Sequence, residues 1–336
     1  MKRIALFFIA LLLLSCKSTE EVNKQKAAER LAEARAKDIQ WKVYVNKLEE
    51  EAKANRDIAK YAQLWTRFES FAPFCGNYNN IKDKISSKYQ IKNYKEIKIP
   101  TRDGLKLDGW FIPVENAKAT VIVLHGWGSD MDFGLSQSRF LLDLGYQLVL
   151  FNARFWNYYE NPYEYVGDFG KDINDIEDTA AFIQSLKGVD KNKIGVIGFS
   201  KGARKAIVAG GLYPQLKFVI ADASPTEAGY DNTEEELALD KEVDQYIAEH
   251  FNQTADNTQF DPINMIDKIS PRSVLLLHGE KDTSVPVKCS QLLYDKALEP
   301  KVFKTFPKSG HCLGMMTSDK TDYIAAVKEF LSDIQY

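Results

Sequence analysis

Runs of consecutive apolar residues recur along this chain between residues 119 and 307, and stretches with helical periodicity separate them. The runs are TVIVLHG, QLVLFNA, KIGVIGF, KFVIADA, SVLLLHG and KVFKTFP. Strands that are apolar on both faces belong to a parallel sheet with helices packed on each side. The pattern therefore predicts an α/β fold with a mostly parallel sheet.

Two other patterns flank or interrupt these runs. Ahead of them, YKEIKIPTRDGLKLDGWFIP alternates apolar and polar positions on both sides of Asp103-Gly104, which is a hairpin signal. Within residues 224–261 the alternation stops at an acidic, helix-like stretch, TEEELALDKEVDQYIAEHF. We expect a hairpin at the first position, and at the second a small helical cap insert over the carboxyl-terminal edge of the sheet.

The N-terminus has the pattern of a targeting segment. A basic pair precedes the apolar run at residues 4–14, which is shorter than the roughly 20 residues that span a bilayer and is typical of a secretory signal. Its end, LLLLSC, resembles the lipobox of bacterial lipoproteins, which implies cleavage before Cys16 and a lipid on that cysteine. Lys17 then implies the outer membrane of the cell envelope. The alternative is a plain signal peptide with a chance cysteine.

These patterns divide the chain into three parts. Residues 1–15 are the signal segment, and residues 16–90 form a tether and a helical N-terminal extension, since residues 17–72 contain no Pro or Gly. Residues 91–336 form the α/β domain, which contains the cap insert.

Composition excludes several classes of function. Hydrophobic residues make up 45% of the 336 positions and charged residues 27%, the balance of a soluble globular protein. A net charge of −3, with no basic stripe, argues against a nucleic-acid partner. The histidines are too dispersed, and the cysteines too few and unpaired, to indicate a zinc site or a disulfide framework.

The candidate chemistry begins at Gly198-Phe199-Ser200-Lys201-Gly202, which fits the pattern G-x-S-x-G. The motif lies where an apolar run passes directly into a helix-like stretch, which is the setting of a strained nucleophile turn. The following helix directs its N-terminal amides towards developing negative charge. Ser200 is thus a candidate nucleophile, although these five residues alone also fit a serine that caps a helix.

A nucleophilic serine needs a general base. His125 and His278 each precede a glycine at the end of a run and are interpreted as backbone-shaping residues, and His250 falls in the acidic insert. That leaves His311, in the loop after the last strand, as the base. The neighbouring Cys312 is interpreted as a packed thiol.

The base in turn needs an acid, and the carbonyl oxygen needs two amide donors. Asp282 in HGEKDTSVP follows a buried run, and we favour it over Asp222 in VIADASP, which also leaves a strand and remains an alternative. The backbone N–H groups of Lys201 and of Trp127, in LHGWG, are the candidate oxyanion donors.

From about residue 94 to residue 335 the chain resembles the α/β-hydrolase superfamily. The matching segments are DGLKLDGWFIP, VIVLHGWGSD, GVIGFSKGA, LLLHGEKDTSVP and SGH, in texture nearest to the dienelactone-hydrolase, prolyl-oligopeptidase-like and serine-aminopeptidase-like branches. The resemblance implies an eight-stranded, mostly parallel sheet and a Ser-Asp-His hydrolase with no metal or organic cofactor. One departure is FNARFWNYYENPYEYVGDFG, which lacks the glycines that many relatives carry and is rich in aromatic residues. It predicts either a substrate pocket or a loop packed on the cap.

The functional hypothesis is a lipid-anchored serine hydrolase that cleaves small-molecule esters through an acyl-enzyme. One alternative keeps the triad and cleaves peptide or aminoacyl amides. The other is a hydrolase fold retained as a non-catalytic binding module of the cell envelope.

Overall fold

The computed structural model describes residues 89–127, 129–154, 169–227 and 258–336. The signal segment with Cys16, nearly all of the N-terminal extension, most of the cap insert and the aromatic-rich residues 155–168 lie outside these ranges.

One eight-stranded sheet organises the described residues, in the order β1-β2-β4-β3-β5-β6-β7-β8. The pairs β1–β2 and β2–β4 are antiparallel, and all other pairs are parallel. The strands are β1 Lys95–Pro100, β2 Lys106–Ile112, β3 Thr120–Leu124, β4 Gln147–Phe151, β5 Ile194–Phe199, β6 Leu216–Asp222, β7 Ser273–Gly279 and β8 Lys301–Phe306. The prediction of a mostly parallel α/β sheet is confirmed.

The apolar runs form the buried strands of the sheet, as the pattern predicted. Every residue of β3, β4 and β5 is buried, so these strands have helices on both faces. The hairpin predicted at Asp103-Gly104 joins β1 to β2, and Gly104 has φ +92, a conformation that favours glycine.

Helices cover both faces of the sheet. They are α1 Met131–Ser138, α2 Phe140–Asp143, α3 Phe169–Ile183, α4 Lys201–Leu212, α5 Val287–Lys296 and α6 Lys320–Ser332. The apolar side chains of α3, α4 and α5 join one hydrophobic cluster, and those of α1, α2 and α6 join the other. Successive residues of β3 alternate between the two clusters, as strand geometry requires. Within the described ranges, none of the helices has both the length and the apolar character to span a membrane.

A buried ion cluster fastens the hairpin to the rest of the domain. Arg154, three residues beyond β4, donates from Nε and Nη2 to Asp175 of α3 at 2.9 and 2.5 Å. Its Nη1 donates to Asp103 at 2.7 Å. Removing one partner of such a buried pair leaves a desolvated charge and typically costs about 3–5 kcal/mol. The cluster therefore fixes the chain at the end of β4.

Candidate active site

Ser200 occupies the turn between β5 and α4. Phe199 is the last residue of the strand and Lys201 the first of the helix, so the whole change of direction falls on one residue. Ser200 has φ 56 and ψ −120, a sparsely populated region for a residue with a side chain. Its N–H donates to the carbonyl oxygen of Asp222 at 2.9 Å, which helps to hold the turn.

The glycines of G-x-S-x-G are required by close packing at this turn. A Cβ on Gly198 would overlap the carbonyl of Gly202, and a Cβ on Gly202 would overlap the carbonyl oxygen of Leu124. On the other side of Ser200, a Cβ on Gly126 would lie 3.9 Å from the serine Oγ. The loop after β3 therefore passes directly beside the hydroxyl.

His311 and Asp282 form a hydrogen-bonded pair at the same edge of the sheet. His311 Nδ1 lies 2.7 Å from Asp282 Oδ2; the histidine side chain is 28% exposed and the aspartate side chain fully buried. The two loops that carry them also contact each other, because Lys281 N–H donates to the carbonyl of Ser309 at 2.9 Å. This is the arrangement in which a carboxylate orients a general base.

The Asp282 carboxylate is held by donors on both oxygens. Oδ1 accepts from the N–H groups of Ser284 and Val285 at 2.8 and 2.9 Å. Burial alone would raise the pKa of Asp282, but hydrogen bonds from His278, His311 and the Val285 N–H outweigh it, and the pKa lies well below its usual range. Asp282 therefore stays ionised, and the proton of His311 Nδ1 stays on the imidazole.

Asp222, the alternative acid, is engaged elsewhere. Its carboxylate Oδ2 accepts the hydroxyl of Tyr323 at 2.9 Å. Burial raises the pKa of Asp222 to about 6, even though the Tyr323 hydroxyl and the nearby imidazoles lower it. In this structure it is Asp282, and not Asp222, that makes the hydrogen bond to His311.

Ser200 and His311 are not joined by a hydrogen bond in this structure. Among the described residues, no hydrogen bond joins Ser200 Oγ to the imidazole, a separation that is common before substrate binds. Cys312 links the two regions: its thiol lies 3.6 Å from the carbonyl oxygen of Asp222, the same oxygen that accepts the Ser200 N–H. The thiol is buried, and burial raises its pKa well above its usual range, so Cys312 is a packed side chain.

The two candidate oxyanion donors belong to two different segments near Ser200. Lys201 is the first residue of α4, and Trp127 follows β3 in the loop that contains Gly126. Their side chains contact each other, with Lys201 Nζ 3.9 Å from the centroid of the Trp127 ring. This cation–π contact connects the helix N-terminus to the loop.

His125 shapes the loop that carries Trp127. Its Nδ1 lies 2.8 Å from the carbonyl oxygen of Gly126, and its Nε2 accepts the N–H of Ala153 at 3.0 Å. Burial lowers the pKa of His125 to about 4, with a further contribution from the charge of Lys205, so the ring is neutral near pH 7. This matches its interpretation as a backbone-shaping residue.

The sequence did not predict that His278 lies beside Asp282. It is fully buried in β7, and its Nε2 lies 3.3 Å from the same Asp282 Oδ2 that contacts His311. The pattern HGEKD contained both residues, but a spacing of four along a strand end and a loop does not reveal a side-chain contact. Within the described ranges, no cluster of His, Cys, Asp and Glu is arranged to hold a metal ion.

Comparison with known proteins identifies the family of this chain. Residues 132–334 match the prolyl oligopeptidase family. The uncharacterized protein YqkD of Bacillus subtilis is 24% identical over 245 residues, which cover 70% of this chain and 78% of YqkD.

Two solved structures share the fold. The Pyrococcus furiosus esterase Pf2001 has a TM-score of 0.57 at 22% identity, over 74% of this chain and 95% of the esterase chain. The Pyrococcus horikoshii acylaminoacyl peptidase has a TM-score of 0.58 at 21% identity, over 73% of this chain and 42% of the peptidase chain. The family match spans more than half of the sequence and contains strands β4 to β8 and the strand-to-helix turn at Ser200. The chain therefore belongs to the prolyl oligopeptidase family and is a hydrolase of the α/β-hydrolase fold.

Proposed function

We propose that this protein is a serine hydrolase that cleaves carboxylic esters through an acyl-enzyme, with Ser200 as nucleophile, His311 as general base and Asp282 as orienting acid. The observation that carries the proposal is the backbone of Ser200, at φ 56 and ψ −120 between a buried strand and a helix. Such a conformation costs about 1–3 kcal/mol and persists where function depends on it. A helix-capping serine needs no such strain, and no side-chain cap hydrogen bond is made by Ser200.

The proposed reaction uses these groups in two stages. His311 Nε2 takes the Ser200 proton as Oγ bonds to the ester carbonyl carbon, and the Asp282 carboxylate stabilises the imidazolium. The N–H groups of Trp127 and Lys201 receive the negative charge that develops on the carbonyl oxygen. The imidazolium then gives its proton to the departing alkoxide. Water, deprotonated by His311, attacks the acyl-enzyme and releases the acid and the free serine.

Esters fit the described residues better than peptides with a free amino terminus. A substrate ammonium group needs an available carboxylate, but Asp222 and Asp282 are buried and bonded to Tyr323 and to imidazoles. The similarity to an acylaminoacyl peptidase and the family match favour amide cleavage as the second candidate. A panel of short p-nitrophenyl esters and matched aminoacyl p-nitroanilides separates the two by kcat/KM.

We also propose that the protein is anchored in the bacterial cell envelope by a lipid on Cys16. The support is the sequence of residues 1–16, with its basic start, apolar run and LLLLSC ending. Labelled palmitate should enter the wild-type chain and not Cys16→Ala, and wild-type protein should fractionate with the outer membrane. Equal labelling of the two chains would contradict the anchor.

The catalytic proposal is tested with Ser200→Ala and His311→Gln. Each change should lower kcat for a p-nitrophenyl ester by at least about ten-thousandfold, because the members of a triad act as a unit. A fluorophosphonate reagent should label wild-type protein and not Ser200→Ala. The control is Ser185→Ala, at an exposed serine after α3, which should retain both properties. Full turnover by Ser200→Ala would overturn the proposal, and a folded wild type that neither reacts nor turns over would indicate a binding module.

A further inference from the structure

His278 lies behind the candidate acid and has a fixed set of partners. The imidazole is fully buried in β7, one residue before the strand ends at Gly279. Its Nδ1 lies 2.7 Å from Ser290 Oγ on α5, and its Nε2 lies 2.8 Å from the carbonyl oxygen of Val285. The ring therefore joins a strand, a helix and the loop between them.

These partners determine which ring nitrogen of His278 donates and which accepts. A carbonyl oxygen only accepts hydrogen bonds, so Nε2 carries the hydrogen and donates it to Val285. Nδ1 then accepts the hydroxyl hydrogen of Ser290. The Nε2–H group also lies 3.3 Å from Asp282 Oδ2, a longer contact that favours the ionised carboxylate.

His278 and Asp282 both form hydrogen bonds with the backbone of Val285. The carbonyl of Val285 accepts from His278, while the N–H of Val285 donates to Asp282 Oδ1. Holding Val285 therefore holds one of the two donors to Asp282 Oδ1, and the 3.3 Å contact limits the position of Oδ2. His278 thus acts on both oxygens of Asp282.

We infer that His278 is a positioning residue of this hydrolase, which aims the Asp282 carboxylate at His311 by holding Val285 and Asp282 Oδ2 at the same time. The inference rests on the proposed function, since it assigns a purpose to a carboxylate that matters only if His311 is the base. Without His278, the buried Val285 carbonyl loses its donor, the loop shifts, and the hydrogen bond between Asp282 and His311 weakens.

Other titratable groups face this cluster and would influence any pH profile. Asp222 interacts electrostatically with His278, His311 and Asp282, and Tyr323 donates to it from α6. The Cys312 thiol also lies beside Asp222 and Asp282. A change that arises from His278 must therefore be separated from a change in these groups, which the conservative variant achieves.

The central experiment compares His278→Leu with His278→Gln. The amide nitrogen of glutamine reaches about where Nε2 lies and can donate to Val285, whereas leucine fills the space without a donor. His278→Leu should lower kcat for the p-nitrophenyl ester by about 10- to 100-fold with KM changed by less than about threefold, since a small misplacement of a catalytic group has this effect. His278→Gln should restore most of the loss.

The pH profile distinguishes positioning from a structural role. If Asp282 is no longer aimed at His311, the imidazolium loses stabilisation, and the acid limb of kcat/KM moves to lower pH in His278→Leu. Fluorophosphonate titration of active sites corrects each kcat for unfolded protein. Leu293→Ala, a fully buried core change on the same helix as Ser290, is the control and should lower Tm without moving the acid limb.

The two variants and the control separate the possible results. Loss of kcat and a downward shift of the acid limb in His278→Leu, both reversed in His278→Gln, support the inference. Unchanged kcat and acid limb, with only Tm lowered as in Leu293→Ala, overturn it. An upward shift also overturns it, because His278 would then compete with His311 for Asp282. If Ser200→Ala and His311→Gln still hydrolyse the ester, the proposed function itself fails, which is a separate result.

Discussion

Two carboxyl groups at the ends of adjacent strands have pKa values shifted in opposite directions. Asp222 ends β6 and Asp282 follows β7, and both side chains are buried. Burial raises the pKa of Asp222 to about 6, whereas the hydrogen bonds to Asp282 bring its pKa well below the usual range. Asp282 accepts more hydrogen bonds and is the less deeply buried residue, so it stays ionised to low pH, whereas Asp222 ionises only above about pH 6.

The most direct challenge to this contrast is to neutralise each carboxylate in turn. Asp282→Asn should lower kcat by about ten-thousandfold, because an amide can hold His311 in the wrong tautomer, while Asp222→Asn should cost less than about tenfold. Steady-state hydrolysis of a p-nitrophenyl ester near pH 8 measures both. A larger loss in Asp222→Asn than in Asp282→Asn would make Asp222 the acid.

The second prediction concerns stability and its dependence on pH. The pKa of Asp222 is higher in the folded state than in the unfolded chain, so its ionisation above about pH 6 destabilises the fold. Asp222→Asn should therefore raise the free energy of unfolding by about 1–3 kcal/mol near pH 8, and this advantage should vanish as the pH falls from about 6 to about 4.

Urea unfolding at several pH values measures this difference between the two proteins. Glu329→Gln, on the last turn of α6, is the control and should show no such window. A constant difference between wild type and Asp222→Asn at all pH values would show that Asp222 is not the group that titrates.

How far the sequence predicted this site can be judged from the two carboxylates. The apolar runs predicted β3 to β7, because a strand covered on both faces leaves a distinctive string of apolar residues, and the more polar run KVFKTFP predicted the half-exposed edge strand β8. The same strings placed Asp222 and Asp282 at one edge of the sheet. The choice between them depends on which carboxylate oxygen lies within hydrogen-bond distance of the His311 imidazole on another loop. Local sequence does not encode that distance.

For the same reason, local sequence patterns could not predict the strand order or the contacts of His278. β4 lies between β2 and β3 in the sheet, an arrangement that no single run contains. His278 looked like a backbone-shaping residue because only the folded loop brings Val285 and Asp282 to its Nε2. The cap insert, the N-terminal extension and Cys16 stay predictions, since they lie outside the described residues.

The smallest expected effect concerns the contact between Lys201 and Trp127. Lys201→Met removes the cation above the Trp127 ring and keeps the backbone N–H, so kcat should fall by only about 2- to 5-fold, as expected for loss of an exposed cation–π contact. Lys201→Arg should retain activity. The pH range over which Asp222→Asn gains stability should be the same in the Lys201→Met background. A change in that range would mean that Lys201 and Asp222 are electrostatically coupled.

The backbone of Ser200 has a consequence for evolution as well as for chemistry. At φ 56 a glycine would be relaxed, so Ser200→Gly should unfold at a higher temperature than the wild type while it loses the proposed nucleophile. The chain is therefore less stable than a sequence one substitution away. A selection for thermal stability alone would drive this position towards an inert protein, and only selection for turnover opposes that drift.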